Sequence, residues 1–219
     1  MVSELAAAPR RSKWHEGMNI PITDPARVRI LRHASDAFLT FGFDNLTMAK
    51  LAEVCGLSRR GLYHHFKNKE EVFRALLRMT NGEDLERGDT AAQAALVRGA
   101  NAVEIIGDWL DARFGFRRRA LGASPVGREV NDAAFRVAAD VMIEVSYETN
   151  RRLAQLVTQL AQKGQIRLRP GVDAEKIGRM LGDGARGVNQ SRPPIPNNLI
   201  GQHYRDIVEA ILFGAVQLR

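Results

Sequence analysis

The run Thr47-Met48-Ala49-Lys50-Leu51-Ala52-Glu53-Val54-Cys55-Gly56-Leu57-Ser58-Arg59-Arg60-Gly61-Leu62-Tyr63-His64-His65-Phe66 sets the architecture of this 219-residue chain. Thr47 and Ser58 are both N-cap residues, whose side-chain oxygen accepts a bond from a first-turn backbone N–H. Met48, Leu51 and Ala52 share one face of the helix that Thr47 opens. Gly56 follows where a left-handed turn is cheap only for glycine. Leu57 and Leu62 then anchor a second helix. The pattern predicts a helix-turn-helix, in which Ala52 is small enough for close crossing and the second helix enters a major groove. That helix presents Ser58, Arg59, Arg60, Gly61, Tyr63 and His64. Arginine bridges two acceptors on a guanine edge, whereas hydroxyls and a helix N-terminus suit phosphates.

Upstream, Asp24-Pro25 is a helix start, since proline at the first position lacks only an N–H that has no intrahelical partner. Ile30, Leu31, Ala34, Ala37, Phe38 and Phe41 recur at helical spacing up to Gly42, and Leu51 and Val54 close a small core against them. Downstream, Asn68 caps a further helix carrying Val72, Phe73, Leu76 and Leu77, with Glu71 placed as in a capping box. Residues 1–23 read as a flexible arm. Its Arg10, Arg11 and Lys13 either reach a minor groove or stay disordered. Beyond Arg78 the spacing predicts a helix over Ala91–Phe114, a loop at Gly122–Gly127 and a long helix from about Asp132 to Lys163. A helix over about 173–189 follows, then a loop fixed by Pro193, Pro194 and Pro196, then a last helix over about 198–217. The expected fold is all-α with eight to ten helices. An N-terminal three-helix helix-turn-helix domain (24–78) precedes a C-terminal helical ligand-binding and dimerisation domain (79–219).

The formal charge of +7 is unevenly placed. From Arg27 to Arg78 ten cations face five anions, a net +5 within about a quarter of the chain, as expected for a polyanion partner. The single cysteine allows no intramolecular disulfide, and Cys55 reads as a small core residue. No run approaches the ~18 apolar residues of a membrane span, and Met1–Lys13 lacks a secretory h-region, so a cytoplasmic protein without membrane contact is expected. His64 and His65 are adjacent and cannot form an i,i+4 metal pair. No catalytic set, phosphate loop, metal cluster or cofactor motif stands out, which disfavours an enzyme.

Phe41-Gly42-Phe43-Asp44-Asn45-Leu46-Thr47-Met48-Ala49-Lys50-Leu51-Ala52, continued through Cys55-Gly56-Leu57-Ser58-Arg59-Arg60-Gly61-Leu62-Tyr63-His64-His65-Phe66-Lys67-Asn68-Lys69-Glu70, closely resembles the TetR family of bacterial transcriptional regulators. The resemblance covers roughly Arg27 to Leu77 and is most specific at "LYHHF" followed by "KNKE". It implies phosphate contacts from Thr47, Ser58, Tyr63, His64 and Lys69, with Lys50 and Gly61 in the same DNA-facing set and Arg59 and Arg60 reading bases. Many relatives carry a small residue at the position of Arg60 and a hydroxyl or amide at that of Gly61. This chain exchanges the bulk, so base preference does not transfer.

The resemblance further implies a homodimer through the last two helices, acting as a repressor released from a palindromic double-stranded DNA operator by a small-molecule effector. The apolar faces Ile177, Met180, Leu181, Ala185, Val188 and Ile207, Val208, Ile211, Leu212, Ala215, Val216 agree with such an interface, and Gly178, Gly182 and Gly184 allow close helix approach. The alternative is that both faces pack within one chain. For the effector, Trp109, Arg113, Phe114, Phe116, Phe135, Met142 and Tyr147 are the expected cavity wall, with Glu144 and Asn189 as polar contacts. A ligand fitting one spacing of the two reading heads would act by population shift. The alternative function is an effector-independent architectural DNA-binding protein, which a broad footprint would reveal.

Overall fold

Asp24 accepts the Ala26 N–H at 2.9 Å and opens α1 (Pro25–Phe41), which buries Ile30, Leu31, Ala34, Ala37 and Phe38. The structure, a computed structural model, describes residues 24–213. Residues 1–23, with Arg10, Arg11 and Lys13 of the expected arm, and Ala215 and Val216, expected on the last helix, lie outside the described residues. Gly42 closes α1 at φ +79, and α2 (Met48–Val54) and α3 (Arg59–His65) follow. The long α4 (Lys69–Val97) starts at Asn68, whose side chain accepts the Glu71 N–H at 2.7 Å. The Glu71 carboxylate returns to the Lys67 N–H at 2.8 Å, one residue before the cap.

The body consists of α5 (Ala102–Leu110), a π-helical turn (Asp111–Gly115), α6 (Phe116–Ala123), α7 (Gly127–Val137), α8 (Ala139–Gln162), α9 (Ala174–Asn189) and α10 (Ile200–Phe213). Among the described residues there are ten α-helices and no strand, so the all-α fold stands.

Two predicted helices are divided. The one expected over 91–114 breaks after Val97. Gly99, at φ +76, donates to Leu96 O, and Asn101 restarts the chain with a reciprocal capping box to Glu104. The one expected over 132–163 breaks at Ala138, and α7 begins five residues earlier than the periodicity suggests. The cause is tertiary. Val130, Ala133 and Ala134 on α7 join the N-terminal core of Phe38, Phe43, Leu51, Leu62 and Phe73, whereas Leu153, Leu156, Val157 and Leu160 on α8 join the body core around Trp109 and Tyr204. One straight helix cannot aim both faces.

The sequence boundary at residue 78 falls inside α4, which runs unbroken through both cores. At 1.5 Å per residue it is roughly 43 Å long. Between the cores, fully buried Asp84 receives Arg117 Nε at 2.8 Å, with Arg113 Nη1 at 3.8 Å. Arg113 donates from Nη2 to Asn81 Oδ1 at 2.9 Å, while its Nε and one oxygen of Asp84 lack a hydrogen-bond partner. Burial lowers the Arg113 guanidinium from its ordinary range to about 10, against the opposing pull of Asp84.

Candidate nucleic-acid interface

The two helices of the reading head are capped as their sequence predicts. Thr47 Oγ1 accepts the Lys50 N–H at 3.2 Å, and Ser58 Oγ accepts the Gly61 N–H at 3.0 Å. Each hydroxyl accepts through a lone pair, so its own proton is free to donate to a phosphate oxygen. Gly56, at φ +65, makes the turn between them, where Gly56 N–H bonds Glu53 O and Leu57 N–H bonds Ala52 O at 2.9 Å. A Cβ at Gly56 would meet nothing within 4 Å, so backbone conformation, not space, selects glycine there.

Leu62 and Phe66 hold α3 to the core, and Arg27 fixes its far end by donating to His65 O at 3.0 Å while stacking over the Phe66 ring. Ser58, Arg59, Arg60, Tyr63 and His64 are exposed. Arg59 sits 5.8 Å from the Tyr63 ring centroid. Neither Arg59 nor Arg60 enters an ion pair among the described residues, whereas nearby Arg27, Arg32, Arg74 and Arg78 all do. Two unpaired guanidiniums on the first turn of a protruding helix form an anion-seeking, planar-fork surface of the kind that guanine edges accept.

Lys50 and Lys69 are placed differently. Lys50 pairs with Glu53 at 2.7 Å. Lys69 donates to Phe43 O at 2.6 Å and lies over the Phe43 ring, so it braces the loop between α1 and α2. That loop is also held from α7. The Glu129 carboxylate accepts the N–H groups of Phe43 at 2.8 Å and Asp44 at 3.1 Å, and Arg136 forks onto Asp44, which holds the Asp44 carboxyl below its usual range. A Cβ at Gly42 would lie 2.6 Å from Glu129 Oε2, so the clamp needs glycine there. Sequence reasoning did not find Glu129 or Arg136, whose partners lie about ninety residues away.

The seven residues expected to line one effector cavity are not brought together. Trp109 is buried and donates from Nε1 to Asp89 at 2.8 Å. Arg113 is in the Asp84 network, and Phe114 packs on Tyr204. Met142 packs against the N-terminal core, while Phe135 and Tyr147 are exposed by 51% and 65%. Phe116 lies at the surface under Arg87, Glu144 pairs with Arg78, and Asn189 accepts the Tyr204 hydroxyl. Of the seven, only Trp109 borders a cleft, the one between α4 and α8 that Gln93 and Gln155 line. Aromatic type does not determine which side of a helix the fold buries.

Residues 30–76 match the family model of bacterial regulatory proteins, tetR family. The chain is similar to the HTH-type transcriptional repressor AcnR of Corynebacterium jeikeium, with 30% identity over 96 residues that cover 42% of this chain and 49% of that protein. It thus spans about half the length of this relative. It is also similar to the HTH-type transcriptional regulator UidR of Escherichia coli, with 27% identity over 168 residues, 75% of this chain and 80% of that one. The solved structure of the transcriptional regulator FadR from Bacillus subtilis in complex with stearoyl-CoA shares the fold, with a TM-score of 0.63 and 17% identity over 86% of this chain and 99% of that one.

Proposed function

We propose that this chain, which belongs to the tetR family of bacterial regulatory proteins, is a homodimeric, sequence-specific DNA-binding regulator that leaves a two-fold symmetric operator when a small molecule binds its helical body. The observation that carries the reading is the unpaired Arg59–Arg60 pair on the exposed first turn of α3, beside two capping hydroxyls still able to donate to phosphates. Arg59 and Arg60 read base edges. Thr47, Ser58, Tyr63 and His64 hold the backbone. Lys50 and Lys69 shape the surface and add positive potential to it.

The last two helices support the dimer in part. Ile177, Leu181, Ala185 and Val188 are buried inside the chain, and a Cβ at Gly178 or Gly184 would lie 2.6 Å from α8 backbone or from Ile207. The glycines therefore serve packing of α9 on its own neighbours α8 and α10. Met180 and Phe213, which are exposed, and the accessible edges of Ile207 and Ile211 are left for a second copy, joined in a self-complementary contact. Effector binding is read from the fold, since the Bacillus subtilis protein was solved with stearoyl-CoA. No helix of the described residues is long and apolar enough to cross a membrane.

The test is binding to the DNA flanking the protein's own gene, as a function of salt, for wild type, Arg60→Ala and His64→Ala. Loss of a base contact should cost about 1–3 kcal/mol and relax preference at one position, whereas loss of a backbone contact should weaken all sequences alike. Equal, weak binding of wild type to every DNA would overturn specific recognition there and favour the architectural reading.

A further inference from the structure

A cleft of about 420 Å³ opens between α4, α5 and α8, at the end of α4 far from the reading head. This is the size range of small-molecule sites, although such sites are mostly apolar. Here the wall is half polar. Gln93 on α4 faces Gln155 and Gln159 on α8, and Arg151, Arg152 and Asp89 complete the polar rim. The floor is Ala92, Leu96, Leu156 and one edge of the Trp109 indole.

The charged groups of the rim are already matched. Arg152 is held by Glu86 at 2.9 Å, by Glu148 at 2.9 Å and by Asp89, and Arg151 forks onto Glu148. Asp89 also accepts the Trp109 N–H. Two guanidiniums among three carboxylates offer an anion no net attraction, and each carboxylate is engaged, so a cation gains no free partner either. The three glutamines differ. Their side chains make no hydrogen bond among the described residues, and an amide both donates and accepts. A row of such amides over an apolar floor matches a ring that carries hydroxyls on its edge and C–H groups on its face.

We propose that this cleft is the effector site and that its ligand is a small, uncharged, polyhydroxylated compound of monosaccharide to nucleoside size. This rests on the reading of the chain as a ligand-responsive regulator, and it places the effector away from the aromatic residues singled out by sequence. The ion pairs of the rim hold it open in the unliganded chain, because Arg152 ties α8 to α4 and Asp89 ties α4 to Trp109 of α5. Occupancy changes how α4 and α8 sit against each other, and α4 ends at Lys69 beside the DNA-facing loop.

Trp109 provides the readout. The only other tryptophan is Trp14, so a Trp14→Phe protein reports from the cleft alone. Its emission is titrated with four probe classes: neutral polyols and glycosides (methyl β-D-glucopyranoside, myo-inositol, adenosine), anionic sugars (gluconate), cations (spermidine) and apolar compounds (decanol, cyclohexanol). The expected result is a saturable change with a neutral polyol or glycoside, weakened about tenfold or more in Gln155→Ala/Gln159→Ala as hydrogen bonds to the amides are lost. Saturation only with another class, a response that survives the double substitution, or no saturation by any probe overturns the proposal. Operator binding is measured without probe in the same preparation. Failure there counts against the regulator reading, and success there with a silent Trp109 counts against this site alone.

Discussion

Replacing Asp84 by asparagine should destabilise the protein more than any surface ion-pair change. Asp84 is fully buried, and it is the nearest anion to Arg113, which is itself only 4% exposed. Arg117 and Arg87, the other cations around it, reach solvent with side chains 29% and 40% exposed, and can re-solvate. Arg113 cannot. Asp84→Asn therefore leaves one buried uncompensated guanidinium, a loss that costs about 3–5 kcal/mol in buried pairs. Taking the low end, because asparagine can still accept from Arg117, and about 3 °C per kcal/mol for a chain of this size, the melting temperature should fall by roughly 10 °C. Arg113→Met alone should cost much less, since it removes the buried charge and leaves Asp84 held by Arg117. The discriminating species is the double variant, which should be more stable than Asp84→Asn.

The pH dependence has a definite sign. Burial sets the folded Arg113 to about 10, below its ordinary range, so the folded state releases that proton first and gains relative stability as pH rises through 10. Loss of Asp84 depresses it further, so the deficit of Asp84→Asn relative to wild type should narrow between pH 8 and pH 10.5. Calorimetric melts at matched protein concentration test all of this. A cost for Asp84→Asn below ~1 kcal/mol, where surface ion pairs fall, or a double variant worse than the single, would refute the buried-charge argument.

Glu129→Gln keeps one acceptor for the Phe43 and Asp44 amides but loses the charge, and hydrogen exchange at those two amides should quicken by about tenfold; unchanged exchange would show that the clamp is not formed in solution. Gly88→Ala places a Cβ 2.8 Å from Trp109 Cε2. That overpacking should cost about 1–3 kcal/mol and shift the Trp109 emission, measured in the Trp14→Phe background. Asn101→Ala removes the capping box that restarts the chain after α4, for a loss of about 1 kcal/mol in denaturant melts, whereas Asn101→Asp should retain it.

What could be read from sequence was what local chemistry determines. Asp24, Thr47, Ser58 and Asn68 cap the helices they were assigned, and Gly56 takes the left-handed turn, because a cap or a turn is settled within about four residues. Gly99 and the Asn101–Glu104 pair carried an equally local signal, obscured by the helical spacing of Ala95, Val103, Ile106 and Leu110 across them. Ala138 carried none. Its break exists because α7 belongs to one core and α8 to another, which only the assembled chain decides. The same holds at the site. The exposed placement of Arg59 and Arg60 was legible through type and register on α3. Glu129 meets Phe43 across 86 positions and Arg113 meets Asn81 across 32, so no pattern in the chain announces either contact.

These long-range contacts give the body two holds on one loop. Residues 42–46 precede Thr47, the cap of α2, and are gripped by Lys69 from α4 and by Glu129 from α7. Both grips are short hydrogen bonds, so a relative shift of α4 and α7 by about 1 Å cannot preserve both. Phe43, wedged between Phe38 and Phe73 with ring centroids 6.0 and 4.9 Å away, limits how far the loop can yield. The loop must then follow one helix, and Thr47 moves with it, which shifts the start of α2 and, on the proposed reading, its contact with the DNA backbone. The cleft between α4 and α8 lies at the opposite end of α4, and the buried Asp84 network keeps the middle of that helix from absorbing the motion. A ligand need only bind one arrangement of α4 and α8 more tightly than the other to bias the reading head, and the size of the response is set by that difference in affinity.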